Sequence, residues 1–168
     1  DVHNDGEIPP AAWSSASTCK VTGYTNYFGN PTNYTTSFGQ SFGNFIWNCP
    51  NQTNEVVLGG VLATIKGNLS IISTGPTGTF SLGNTGSGSL TVGGSFTMNS
   101  GIFYLSGYSV RGAAVGRTMT VGGSFTMTGG TFNLSNSSVG TNTSSIYVTA
   151  DFTHTGGTIT ESGSTTSS

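Results

Sequence analysis

The chain has 168 residues, a length that suits one domain, and only 10 of them are charged, for a net charge of -2. Four basic residues (Lys20, Lys66, Arg111, Arg117) are too few to neutralise a nucleic-acid backbone or to form a polybasic membrane patch. No run of 18 apolar residues could span a bilayer as a helix, and 18 aromatics with a periodic apolar pattern argue against a disordered polar chain.

Residues 1–41 show no repeat. Pro9-Pro10, the Ser14–Ser17 run and Asn30-Pro31 read as loops and turns, while Tyr24, Tyr27, Phe28 and Tyr34 offer something to bury. This segment reads as an N-terminal cap, which a solenoid needs because its first coil otherwise exposes an apolar core and open strand edges. Cys19 and Cys49 are an even pair without metal-type spacing in a chain of secreted composition. They are expected to form a disulfide that ties the cap to the body, in an oxidising compartment. The start at Asp1, without Met, fits a processed or excised chain.

From Ser41 strand signals dominate. Phe42 to Trp47 leads in, and Glu55–Leu58, a Gly-Gly turn and Val61 to Ile72 form a first full coil. The phrase Leu90-Thr-Val-Gly-Gly-Ser-Phe-Thr-Met98 then recurs as Met119-Thr-Val-Gly-Gly-Ser-Phe-Thr-Met127, and more loosely as Ile146-Tyr-Val-Thr-Ala-Asp-Phe-Thr-His154. The equivalent positions 65, 92, 121 and 148 are 27, 29 and 27 residues apart. A fixed period of this size marks one supersecondary unit stacked on copies of itself. Each coil also carries a short return segment: Thr79–Leu82, Ile102–Leu105, Thr131–Leu134 and Thr158–Thr160. Alternation turns Val92, Phe96 and Met98 inward. Stacking then predicts four internal ladders: Ile65/Val92/Val121/Val148, Leu69/Phe96/Phe125/Phe152, Ile71/Met98/Met127/His154 and Phe80/Phe103/Phe132/Ile159. Strand repeats without a helical period predict an all-β chain, a right-handed parallel β-helix (β-solenoid) of about four coils. The cap is expected over 1–41, the repeats over 42–160, and a Ser/Thr-rich tail over 161–168. That tail adds no capping segment, so the parent protein is expected to continue beyond Ser168.

The chemistry-bearing residues are sparse. Many β-helices cleave polysaccharides with clustered carboxylates, but here only Asp151 and Glu161 lie close enough in the repeats to be considered together. They read as solvated surface acids, and the chain as non-enzymatic. His154 takes the slot of Met98 and Met127 and reads as a partly buried histidine; with His3 distant, no zinc site is expected. Gly93-Gly94 and Gly122-Gly123 are not phosphate loops, since no helix follows them. No metal, cofactor or catalytic group is predicted. Six Asn-x-Ser/Thr sequons, at Asn33, Asn51, Asn68, Asn133, Asn136 and Asn142, are of the kind that chance supplies in so Asn- and Thr-rich a chain.

Two surface patterns suggest recognition. Thr97, Thr126, Thr128, Thr153 and Thr155 form a stacked Thr-x-Thr array like the ice-binding faces of β-solenoid antifreeze proteins, although Thr also simply suits exposed strands. Tyr104, Tyr108 and Tyr147 are candidate stacking platforms for a glycan. The inserts Gly107–Arg117 and Ser135–Ser145, with Arg111 and Arg117, should bulge as loops on a rigid scaffold, where recognition commonly resides.

The phrases Gln40–Thr53, Leu62–Leu69 and Thr91–Phe96, in that order, resemble the β-helical repeat regions of large secreted surface proteins of Bacteroidota exported by type IX secretion. The resemblance covers about residues 40 to 160. It implies an extracellular, adhesin-like or stalk module whose partners are cell-surface or secretion components, or surface glycans. The family's C-terminal sorting domain is not among these residues, which agrees with an incomplete chain. Self-association through the uncapped last coil is a further expectation, because open strand edges invite pairing.

Overall fold

The computed structural model describes residues 8–25, 37–83, 88–106, 116–136 and 143–162. Among the described residues sixteen strands run in chain order: β1 (Thr18–Val21), β2 (Ser41–Phe42), β3 (Asn44–Asn48), β4 (Glu55–Val57), β5 (Thr64–Ile65), β6 (Leu69–Ser73), β7 (Thr79–Ser81), β8 (Ser89–Val92), β9 (Phe96–Met98), β10 (Ile102–Ser106), β11 (Thr118–Val121), β12 (Phe125–Met127), β13 (Thr131–Asn136), β14 (Ser145–Val148), β15 (Phe152–His154) and β16 (Thr158–Ser162). From β2 onward each strand pairs with the one three further along, β1 pairs with β3, and every pairing is parallel, so the chain winds into a three-sided β-solenoid. One side is β1-β3-β6-β9-β12-β15, the second β4-β7-β10-β13-β16, the third β2-β5-β8-β11-β14.

The four ladders read from the sequence are in register. Val92 pairs with Ile65 and Val121, and Val121 with Val148. Phe125 pairs with Phe96 and Phe152, and Met127 with Met98 and His154. Phe103 pairs with Phe80 and Phe132, and Phe132 with Ile159. Two details differ. The long repeat phrase is not one strand: Gly93-Gly94 turns the chain between β8 and β9, so each coil has three sides rather than two. And the lead-in is already a rung, since Phe42 pairs with Ile65, Phe45 with Leu69 and Trp47 with Ile71. This coil is shorter than the next: Phe42 precedes Ile65 by 23 residues and Phe45 precedes Leu69 by 24, against 27 from Ile65 to Val92, and one of the missing residues falls at the corner Gly43-Asn44; the stack is kept. The turn β2–β4 therefore supports the four repeats that follow it.

Ring stacking fills the core. Phe96 and Phe125 stack at 4.9 Å, and Phe103 and Phe132 at 4.9 Å. The two columns meet edge to face, Phe96 on Phe132 at 5.6 Å and 90°. Offset-stacked and T-shaped pairs are the geometries that ring quadrupoles favour. One buried polar group interrupts this core. Gln52, fully buried, accepts from Trp47 Nε1 at 2.9 Å and donates to the carbonyls of Asn54 and Thr79 at 2.8 Å each. Both ends of its amide are engaged, which is what makes its burial tolerable.

The corners need glycine for two reasons. Gly101, Gly130 and Gly157 turn with φ of 91°, 86° and 84°, a region that L side chains avoid. At Gly94 a Cβ would lie 2.3 Å from Asn68 Oδ1, so the successive turns are too close for a side chain.

Of the segment expected as a cap, the described residues 8–25 and 37–40 pack against the first rung. β1 extends the first sheet, pairing Cys19 with Phe45 and Val21 with Trp47. Trp13 packs on Phe42 at 5.3 Å, Tyr24 on Trp47 at 5.2 Å and Phe38 on Phe45 at 6.2 Å. Gln40 holds this strap: its Oε1 accepts from Ala11 N and Trp13 Nε1, and its Nε2 donates to carbonyls of Ile8, Pro9 and Ser37. Tyr27, Phe28 and Tyr34, also expected in the cap, lie outside the described residues.

The expected Cys19–Cys49 disulfide is not formed; both thiols are free and buried. The register explains why. Val21 pairs with Trp47, so Cys49 is level with residue 23, four residues along the strand from Cys19. That offset is about 13 Å, beyond the roughly 7 Å between Cα atoms that a disulfide spans. Cys49 Sγ lies instead 3.6 Å from the Val21 carbonyl. Burial pushes both thiols up to about 11.

Candidate functional site

The outer faces of the three sides differ in exposure. On the first side Ser70, Thr97, Thr126 and Thr153 pair in one row down successive coils. Thr97 Oγ1 donates to Ser70 Oγ at 2.8 Å, so the row is partly satisfied by its own hydroxyls. Beside it Asn99, Thr128 and Thr155 are exposed, while Ile72, 36% exposed, interrupts the array at its start. Thr97, Thr126 and Thr153 thus stand in register on three coils, with Asn99 in place of the second threonine on the first of them.

The tyrosines do not gather. Tyr147 is 62% exposed on the third side, beside Thr120. Tyr104 is half-buried on the second side, between Ser81 and Asn133. Tyr108 and Arg111 lie outside the described residues, as does most of each insert. Arg117, read as a surface recognition residue, is instead 4% exposed. Its guanidinium fills the corner between the second and third sides, where a Cβ on Gly60 would lie 2.5 Å from it and one on Gly88 2.7 Å. Desolvation lowers its pKa. Its position at the mouth of an insert suggested exposure; only the glycines of two neighbouring coils, far off in sequence, make room for it inside.

Asp151 and Glu161 lie on different sides of the last coil, Asp151 just before β15 and Glu161 in β16, both exposed. His154 is exposed rather than partly buried, its Nε2 3.2 Å from the Gly157 carbonyl. It stands in the inward row, but nothing among the described residues lies over it. Phe152, in the same position of its row, is 53% exposed. Among the described residues, no group of three or more His, Cys, Asp or Glu is placed to hold a metal ion, and no helix is long and apolar enough to cross a membrane.

Two arrangements were not read from the sequence. The first is a corner ladder. Asn44 Oδ1 accepts from Asn68 N at 2.9 Å, Asn68 Oδ1 from Ser95 N at 2.8 Å, and Ser95 Oγ from Ser124 N at 3.1 Å. Each side chain thereby satisfies a corner N–H of the next coil, which the sheet ladders cannot reach. The recurring Asn/Ser immediately before the strand phenylalanine or leucine column (Asn44-Phe45, Asn68-Leu69, Ser95-Phe96, Ser124-Phe125) is the available signal. The second lies on the outer side of the second sheet, which is largely covered: Thr79 is 9% exposed, Ser81 0%, Ser106 0%, Asn133 8% and Ser135 3%. Half-buried Glu55 stands at the start of that face, paired with Thr79. Burial raises its carboxyl to about 7.

No family model matches the chain, and neither a curated protein nor a solved structure matches it. The fold and surfaces define its class on their own: a three-sided parallel β-solenoid with hydroxyl-rich outer rows.

Proposed function

We propose that this chain is a non-enzymatic structural or adhesive module, the stalk or adhesin region of an extracellular bacterial surface protein exported by type IX secretion. The observation that carries the reading is the continuity of the three parallel sheets. Each coil is bonded to the next along all three sides, and aromatic columns run through the core without interruption from Trp47 to Phe152. Such a stack resists local opening, because each coil is held by its neighbours. Its outer rows of Ser and Thr carry few charges, so the surface is hydrated and attracts charged partners weakly. Partners of this module would be cell-surface components or surface glycans.

Antibody labelling and protease shaving of intact producing cells test the location. Labelling of intact cells, with loss of the signal on shaving, supports the proposal; signal that appears only after lysis refutes it. Beads coated with the chain should adhere to those cells or to their surface polysaccharide if the module is adhesive.

A second reading rests on the in-register Thr97/Thr126/Thr153 row: ice binding. Thermal hysteresis that is lost in Thr126→Tyr would favour it over the structural one. A glycan-binding reading rests on Tyr147 alone, and a glycan array compared with Tyr147→Ala tests it.

A further inference from the structure

Three side-chain oxygens on the covered face of the second sheet have no hydrogen-bond partner: Glu55 Oε1, Thr79 Oγ1 and Ser81 Oγ, all buried. They are neighbours by construction. Glu55 pairs with Thr79 across β4 and β7, about 4.8 Å apart, and Thr79 and Ser81 flank inward-facing Phe80 on one strand, about 6.7 Å apart. Three orphaned oxygens in one patch are unusual, since buried polar atoms almost always find a partner and each one left without costs on the order of 1–3 kcal/mol.

We infer that Glu55, Thr79 and Ser81 form a binding site for a hard cation of the calcium type. The donor set is oxygen only, one carboxylate and two hydroxyls, which is the chemistry that hard cations select and that softer transition metals do not. Two of its members, Thr79 and Ser81, are at least nine-tenths buried, so their oxygens cannot be satisfied by bulk water. Glu55 remains half-buried, which leaves its carboxyl an approach from solvent. No imidazole or thiol is involved, and water or backbone carbonyl oxygens would complete the six to eight ligands that calcium takes. A bound cation also removes the cost of burying the carboxylate, because it supplies the opposite charge that burial alone does not. Binding would fasten β4 to β7, and so the first rung to the second.

The test is calcium titration of the intact chain, followed by calorimetry and by thermal unfolding, against chelator and against magnesium. One calcium per chain and a Tm raised by several degrees are expected. Glu55→Gln keeps the side-chain shape and should weaken binding at least tenfold; Thr79→Val and Ser81→Ala should each weaken it less. Absence of calcium heat and of any Tm shift in the unaltered chain overturns the inference. So does an equal calcium effect in Glu55→Gln, which would place the ion elsewhere. Sensitised terbium luminescence that calcium displaces provides a readout independent of stability, so a variant that folds poorly cannot obscure the result.

Discussion

Phe125 and Phe152 lie parallel within 5°, with ring centroids 4.7 Å apart, yet Phe125 is fully buried while Phe152 is 53% exposed. They occupy the same slot of consecutive coils, and among the described residues only Phe125 has a further coil packed over it. Truncating them therefore separates slot from cover. Phe125→Ala removes a ring packed between Phe96, Phe132 and Phe152 and is expected to cost about 3–5 kcal/mol. Phe152→Ala should cost on the order of 1–2 kcal/mol, since half its area already meets water. Urea unfolding of the two variants checks the ordering.

Glu55 gives the stability a pH dependence. Its carboxyl is raised from an ordinary 4.5 to about 7, so between these values the folded chain holds a proton that the unfolded chain has released. Stability from this group is present in full below about 4.5 and is lost as pH rises through about 7. With its partial exposure the loss is on the order of 1–2 kcal/mol. Unfolding free energies in chelator from pH 4.5 to pH 8 should fall by that amount. Glu55→Gln should flatten this part of the profile.

The buried thiols make a chemical prediction. Cys19 and Cys49, both pushed up to about 11, are protonated and covered at neutral pH and should resist a thiol reagent until the chain opens. Intact mass after alkylation in denaturant should show two labels without prior reduction. A single disulfide would instead give no labels until a reductant is added.

Corner glycines should be intolerant in proportion to their geometry. Gly130 has φ of 86°, and its Cβ would sit 2.6 Å from the Gly101 carbonyl oxygen. Gly130→Ala should destabilise by more than about 1 kcal/mol, because strain and a backbone clash act together. Thermal unfolding measures it, with Thr155→Ala on the exposed row as a near-neutral control.

The repeat phrase made most of this molecule legible. Val92, Phe96 and Met98 were placed inward from alternation alone, and their partners 27 and 29 residues away were found by phrase matching. The lead-in carries no copy of the phrase and repeats after 23 and 24 residues (Phe42 to Ile65, Phe45 to Leu69) rather than 27, so phrase matching does not reach it although the strands stack. The Thr97/Thr126/Thr153 row was legible as a row because it lies in the same phrase.

The pairing of Cys19 and Cys49 failed for a different reason. Composition suggested a bond, but the register between β1 and β3 sets the two thiols four residues apart, and no local signal carries that register. Arg117 was misplaced likewise, its space being made by Gly60 and Gly88 on other coils. Thus the sequence by itself determined the stacking: a periodic apolar pattern can bury its inward face only by repeating over itself. Only the tertiary structure decided which outer face is covered, where the cysteines fall, and that Glu55, Thr79 and Ser81 share one face of two paired strands. Those depend on lateral contacts between coils about 24 residues apart, and such contacts are set by corner lengths and strand register rather than by any residue's own preference.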